Sequence, residues 1–293
     1  CAVSVPALVR DQFHGSESAR LFGLIGLMMF IAPAAAPSIG TLLLSISGWP
    51  SIFVMLACYA LLLALLLHFA LFRRLPPRET ERTPVHTLVT NYLLVLQHPA
   101  TMRFIGLQAL AFSAMMVFIT HASFIYQEWF GLSSSLFSAL FAANIGGMAS
   151  LNLLNRKLLL HYETVILLRI WVFVQGLAIA ALVVCAWMQT PYWAVAGCII
   201  VATGCMGALV PNNMANALEF FPKLGGTASA LLGASQFTVA GAVSAASAAL
   251  AGGTLMPIVL TMATCSLGCV LLAAGAPGAV RKQHALNGAQ EGP

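Results

Sequence analysis

The side chains able to do chemistry inside this chain's apolar segments are amides: Gln108, Asn144, Asn152, Gln175, Asn212, Asn213, Asn216 and Gln236 all lie within long hydrophobic runs. An amide supplies N–H donors and an acceptor oxygen, but neither a charge nor a nucleophile. Such groups recognise ligands or join helices; they do not break bonds. A lone membrane Gln or Asn is read as a helix-joining group, worth about 0.6 kcal/mol on average. The run Pro211-Asn212-Asn213-Met214-Ala215-Asn216 differs, because three amides beside a proline bring donors, acceptors and a bend to one place. It suits the lining of a polar cavity as well as helix joining.

Other chemistries are excluded by what the apolar runs lack. No acidic residue lies deep within one, and there is no H-E-x-x-H, no G-x-S-x-G and no phosphate loop. His68 and His121 fall near opposite ends of their runs and read as interfacial residues. The seven cysteines (Cys1, Cys58, Cys185, Cys198, Cys205, Cys265, Cys269) show neither C-x-x-C spacing nor histidine partners, so they read as buried free thiols, with no metal site. The chain is not expected to be an enzyme.

The elements that must position the amides follow from composition. Hydrophobic residues make up 60% of the chain and charged residues 7%, against roughly 25% charged in a soluble domain, and the mean hydropathy is +0.93. This is an all-α membrane protein whose partner is the lipid bilayer. Spans are expected at 21–46, 51–72, 104–125, 135–155, 164–187, 192–217, 227–250 and 255–276, eight in all. The long connection 73–103 carries Arg73, Arg74, Arg78, Arg82 and Arg103 with prolines at 76, 77 and 84, and Pro84 to Gln97 has the spacing of an amphipathic helix on the membrane surface. Residues 1–72 then form a first, partial bundle, 73–103 a linker, 104–276 a second bundle and 277–293 a disordered tail.

Charge sets the orientation. With the 10–20 turn on the cytoplasmic side and the spans alternating, all 13 Lys and Arg residues fall on that side, Arg169 snorkelling from the start of its span. The C-terminus is then cytoplasmic. Net charge +5 is thereby explained without nucleic acid, for no basic cluster is interleaved with aromatics. The chain opens inside an apolar segment too short to span, Cys1 to Val9, and is read as a fragment of a longer protein.

Two strips of small residues invite close helix contact. Ala32, Ala36 and Gly40 recur every fourth position beside Pro33 and Pro37, and Ser138, Ala142, Gly146 and Ser150 repeat the spacing. The two strips are expected to face one another.

The ordered set Val9-Arg10-Asp11, Ala32-Pro33-Ala34-Ala35-Ala36-Pro37-Ser38-Ile39-Gly40, Gly48-Trp49-Pro50-Ser51-Ile52-Phe53 and Phe221-Pro222-Lys223-Leu224-Gly225-Gly226-Thr227-Ala228-Ser229-Ala230-Leu231 resembles the Bcr/CflA drug-efflux family of the major facilitator superfamily. The resemblance implies two helix bundles rocking about a central cavity, here from the end of the family's helix four to helix twelve. It makes Ala32 to Gly40 the antiporter motif, departing in Thr41 where a second glycine is common. It implies a bacterial cytoplasmic (inner) membrane protein, monomeric at full length, that exports small amphipathic molecules without a cofactor, driven by a proton gradient. The family's helices one to three and their acidic residue are absent, and with them the coupling machinery. Gln108, Met115, Asn144, Met206, Asn213 and Gln236 become candidates to line the substrate cavity, as polar or adaptable side chains on the cavity-forming helices. The alternatives are a narrow exporter of a nucleoside or sugar, and a nontransporting truncated relic.

Overall fold

The computed structural model describes Val9 and residues 19–26, 39–40, 42–43, 46–69, 84–221 and 224–275. Among these residues seven helices are long and apolar enough to cross a membrane. Most of the expected span 21–46 lies outside the described residues, as do Ala32, Pro33, Ala36 and Pro37. The chain divides into two compact units, residues 29–88 and residues 1–28 with 89–293.

In the first of these units, helix α1 (Pro50–Leu67) follows a turn in which Gly48 takes φ 72°. Pro50 stands at the first helical position, where its missing N–H is not needed. Ser51 Oγ donates to the carbonyls of Gly48 and Leu43, tying the turn to the preceding segment. No residue of α1 is buried within its unit. Helix α2 (Val85–Gln97) forms where the amphipathic pattern places a helix, and the division between the units falls within it, after Leu88.

The larger unit contains α3 (Pro99–Ser123), α4 (Ser134–Leu158), α5 (Thr164–Trp187), α6 (Tyr192–Gly204) and α7 (Met206–Glu219), which form one span, then α8 (Gly225–Leu250) and α9 (Leu255–Ala274). The start of α3 lies earlier than hydropathy suggests, because His98 Nδ1 accepts from the Thr101 N–H and Pro99 occupies the first turn. Ser133 caps α4 in the same way. At its far end α3 loosens into a π-turn, Phe124–Trp129.

The packing repeats. Exchanging the first three spans for the last three maps the contact of α3 with α8 onto that of α6 and α7 with α4, and α3 with α9 onto α6 and α7 with α5. The contacts of α5 with α9 and of α3 with α7 map onto themselves. Spans three apart run in opposite directions, so this is an inverted repeat of three helices. The partners α4 and α8 lie on the flanks, with 11% and 22% of their most apolar stretches buried, against 61% for the span of α6 and α7.

Backbones approach most closely where α4 crosses α6 and α7. A Cβ on Gly207 would run into the Met148 carbonyl, and one on Gly204 would stand 3.3 Å from the Gly147 carbonyl carbon. Near the same end of α4, Gly23 and Gly26 lie against Asn152 and Arg156, which brings residues 19–26 into this unit. Arg169 is not simply snorkelling: it donates to the carbonyls of Ala273 and Ala274 while Arg103 donates to Gly275, so two guanidinium groups cap the C-terminus of α9.

Candidate functional site

The amides separate into two networks. The first lies near the Arg169 end of the bundle and starts from Pro211, which has no N–H to give the carbonyl of Gly207 four residues back. Asn152 Nδ2 supplies the missing donor at 2.7 Å. One turn on, Asn155 and Asn212 exchange two amide hydrogen bonds (3.1 and 2.8 Å), and the Trp171 indole donates to Asn155 Oδ1 at 2.8 Å. Asn216 accepts from the Thr164 hydroxyl at 2.9 Å. Asn152, Asn155, Asn212 and Asn216 are each no more than 1% exposed. This knot pins α4, α5 and α7 together. Read from sequence, the Asn-rich run suited cavity lining as well as joining, and for Asn212 and Asn216 joining is the role.

The second network runs across the middle. Gln236 of α8 accepts from Gln108 Nε2 of α3 at 2.9 Å, and Gln108 Oε1 accepts from Asn213 Nδ2 of α7 at 3.0 Å. Asn213 donates as well to the Phe104 carbonyl, while its own Oδ1 is buried with no partner. Three of the six candidates, Gln108, Asn213 and Gln236, thus join in one chain. The repeat supplies its counterpart: the Thr203 hydroxyl of α6 lies 2.8 Å from Asn144 Oδ1 of α4. Each flanking helix is therefore held to a central helix by one polar contact at mid-span.

The other candidates take simpler places. Met206 is buried in the core that also holds Phe104 and Trp171, and Met115 packs half-buried against that core. Met115 also borders a tight gap with Gln175, Thr203 and Met262, where Gln175 Oε1 lacks a partner although Nε2 donates to the Ala202 carbonyl. His121 is buried, with Nε2 3.2 Å from Ser247 Oγ across the seam of α3 and α8.

The strip Ser138, Ala142, Gly146 and Ser150 is exposed along α4, and nothing lies within 4 Å of a Cβ placed on Gly146. The helix uses the adjacent face, with Asn144, Gly147 and Met148, for its own unit. Gly40 is helical, with open space at its Cβ position, and belongs to the other unit. The expected meeting of the two strips lies outside what the described residues bear on. Gly147, Gly204 and Gly207 are not among the expected contact residues; the small-residue pair Gly204 and Gly207, three apart beside Cys205, is the signal the sequence offers.

A bundle of apolar spans with an inverted three-helix repeat, joined at mid-span by neutral amides, has the form of half a membrane carrier. The Major Facilitator Superfamily model matches residues 1–245. The chain belongs to this superfamily. It is 26% identical over 261 residues, 88% of its length, to a bicyclomycin resistance protein homolog of Haemophilus influenzae, and spans 65% of that relative. Over 231 residues, 78% of its length, it is 28% identical to the uncharacterized MFS-type transporter YdgK of Bacillus subtilis, spanning 57% of it. The resemblance to the Bcr/CflA group of the superfamily is supported by the first of these. The chain is thus a multi-pass membrane protein of a transporter family, covering less than two thirds of the length of these relatives.

Proposed function

We propose that the protein to which this chain belongs exports small amphipathic drugs or xenobiotics across the bacterial cytoplasmic membrane, as a monomer, in exchange for protons. The observation that carries this reading is the amide chain Gln236–Gln108–Asn213, with a buried acceptor left over on Asn213. Such a chain can trade internal hydrogen bonds for bonds to a neutral polar group on a substrate, while Met115 and Met206 adapt to its apolar part. Apart from His121, every buried polar side chain among the described residues is neutral. Recognition by hydrogen bonding and apolar contact suits uncharged or weakly charged amphiphiles better than ions.

The drug-resistance name of the Haemophilus influenzae relative points the same way. No carboxylate is buried among the described residues, and the family resemblance puts proton coupling in its first helix, with the C-terminus cytoplasmic. The test is to express the complete gene encoding this chain in an efflux-deficient bacterial host. Drug tolerance should rise across a chemically varied panel and collapse with a protonophore. Tolerance unchanged across the panel refutes drug export, and one sharp competitor in vesicle uptake would favour a narrow metabolite carrier instead.

A further inference from the structure

Three irregularities of the backbone meet at the end of the bundle opposite Arg103 and Arg169. The first is the π-turn Phe124–Trp129, closed by the Phe130 N–H on the Ile125 carbonyl at 3.3 Å. It widens the end of α3 and carries Trp129 and Phe130 off the helix axis. The second is Gln189, which holds φ 50°, the one non-glycine residue with positive φ among those described. The third is the turn after it, where both the N–H and the hydroxyl of Thr190 are spent on the Cys185 carbonyl. Backbone of this kind costs free energy and gathers at sites where a ligand is held.

These segments border a half-open cavity of about 370 Å³. Its floor is apolar, formed by Val195 at the start of α6 and Leu255 at the start of α9, which are 0% and 4% exposed. Its rim is aromatic, with Trp129 and Phe130, and the Cys185 thiol stands in its wall beside Ala186. The volume is that of a small-ligand site, within the usual range of roughly 300–1,000 Å³. It lies apart from the amide chain, in the apolar cluster of the opposite half of the bundle.

The lining also specifies the ligand. Among the described residues no Asp, Glu, Lys, Arg or His borders the cavity, so a charged molecule would enter without a counter-ion. Aromatic rings above an aliphatic floor favour a ring system. The N–H groups of Met188 and Thr190 are committed to the Val184 and Cys185 carbonyls, which leaves Gln189, its backbone N–H and side-chain amide unbonded among the described residues, to meet one polar edge. We propose that this cavity is a second binding site, for a small uncharged aromatic molecule with one hydrogen-bonding edge. The inference is independent of whether the protein exports drugs.

The test uses N-phenyl-1-naphthylamine, a neutral aromatic amine, with the full chain in lipid nanodiscs. N-ethylmaleimide addition is followed at each cysteine by peptide mass spectrometry, with the exposed Cys58 of the other unit as internal control. Probe at ten times its half-saturating concentration should slow alkylation of Cys185 roughly tenfold and leave Cys58 unchanged. Ala186→Phe, filling the cavity from its wall, should abolish the protection; Ala186→Leu provides the same reading should the larger side chain impair folding. Gln189→Gly removes the hydrogen bond while relieving the backbone, and should weaken protection about fivefold. Equal slowing at both cysteines would mean partition into lipid alone, and would overturn the site. So would an absence of protection at Cys185, or protection that survives the filled cavity.

Discussion

Two amide networks made from the same residue types are built differently. In the knot around Asn155 and Asn212, amides meet reciprocally, an indole joins them, and three helices are fixed at once. In the chain around Gln108, the amides meet end to end and one member, Gln236, is only half-buried, while each network leaves one buried acceptor over, Asn152 Oδ1 in the knot and Asn213 Oδ1 in the chain. The knot repairs a backbone carbonyl that Pro211 leaves open; the chain repairs nothing. A polar group bound to a structural defect has a fixed partner, whereas one in a chain of equals can exchange its partner for a ligand. Burial and amide content therefore do not separate a structural joint from the proposed recognition site; what each hydrogen bond satisfies does.

The contrast breaks most easily at the crossing of α4 with α7. Gly207→Ala would drive a methyl into the Met148 backbone and should cost about 3 kcal/mol or more, read as a large fall in thermal unfolding temperature in detergent. If it were tolerated, the knot would not depend on this approach. Asn155→Leu should cost about 2 kcal/mol, since Asn212 and the Trp171 indole lose their partner inside the bundle. A loss no greater than that for a surface amide would deny the knot its structural role.

Gln108→Leu is expected to lower stability by only about 1 kcal/mol, while changing which drugs the complete protein exports. Unaltered selectivity in the tolerance panel would remove the functional half of the comparison. For the seam of α3 and α8, a double-mutant cycle of His121→Asn and Ser247→Ala should give a coupling of about 0.6 kcal/mol and below roughly 2 kcal/mol. Smallest of all, Gly146→Ala should stay within about 0.5 kcal/mol in the isolated chain, because open space surrounds it, whereas Gly147→Ala meets Ile200 at 3.1 Å and should be felt. Equal effects at the two positions would mean that the exposed strip is covered.

Much of the fold was legible in the sequence. The spans from 104 onward match helices within a few residues, because about 20 apolar residues in lipid have little choice but a helix. Capping residues sharpened the ends, as with His98 and Pro99 at α3. The small-residue strip on α4 was found, yet the face that packs within the unit is turned by one residue, onto Gly147. For His121 the sequence gives a place near the end of its span but not its contact with Ser247, since distance along a span fixes depth and not direction.

Sequence by itself determined the membrane class, the succession of apolar helices, the neutral chemistry of their buried groups and the likeness to a transporter family. Tertiary structure alone decided which amides meet: Gln108 and Gln236 are 128 residues apart, and Asn155 and Asn212 are 57 apart. The physical reason is that a helix wrapped in lipid is apolar on every side, so its sequence carries only a weak signal of rotation about its axis. Rotation is set by the fit of neighbouring helices, by the glycines that let backbones touch and by a carbonyl left open at a proline, and these exist only once the bundle is assembled.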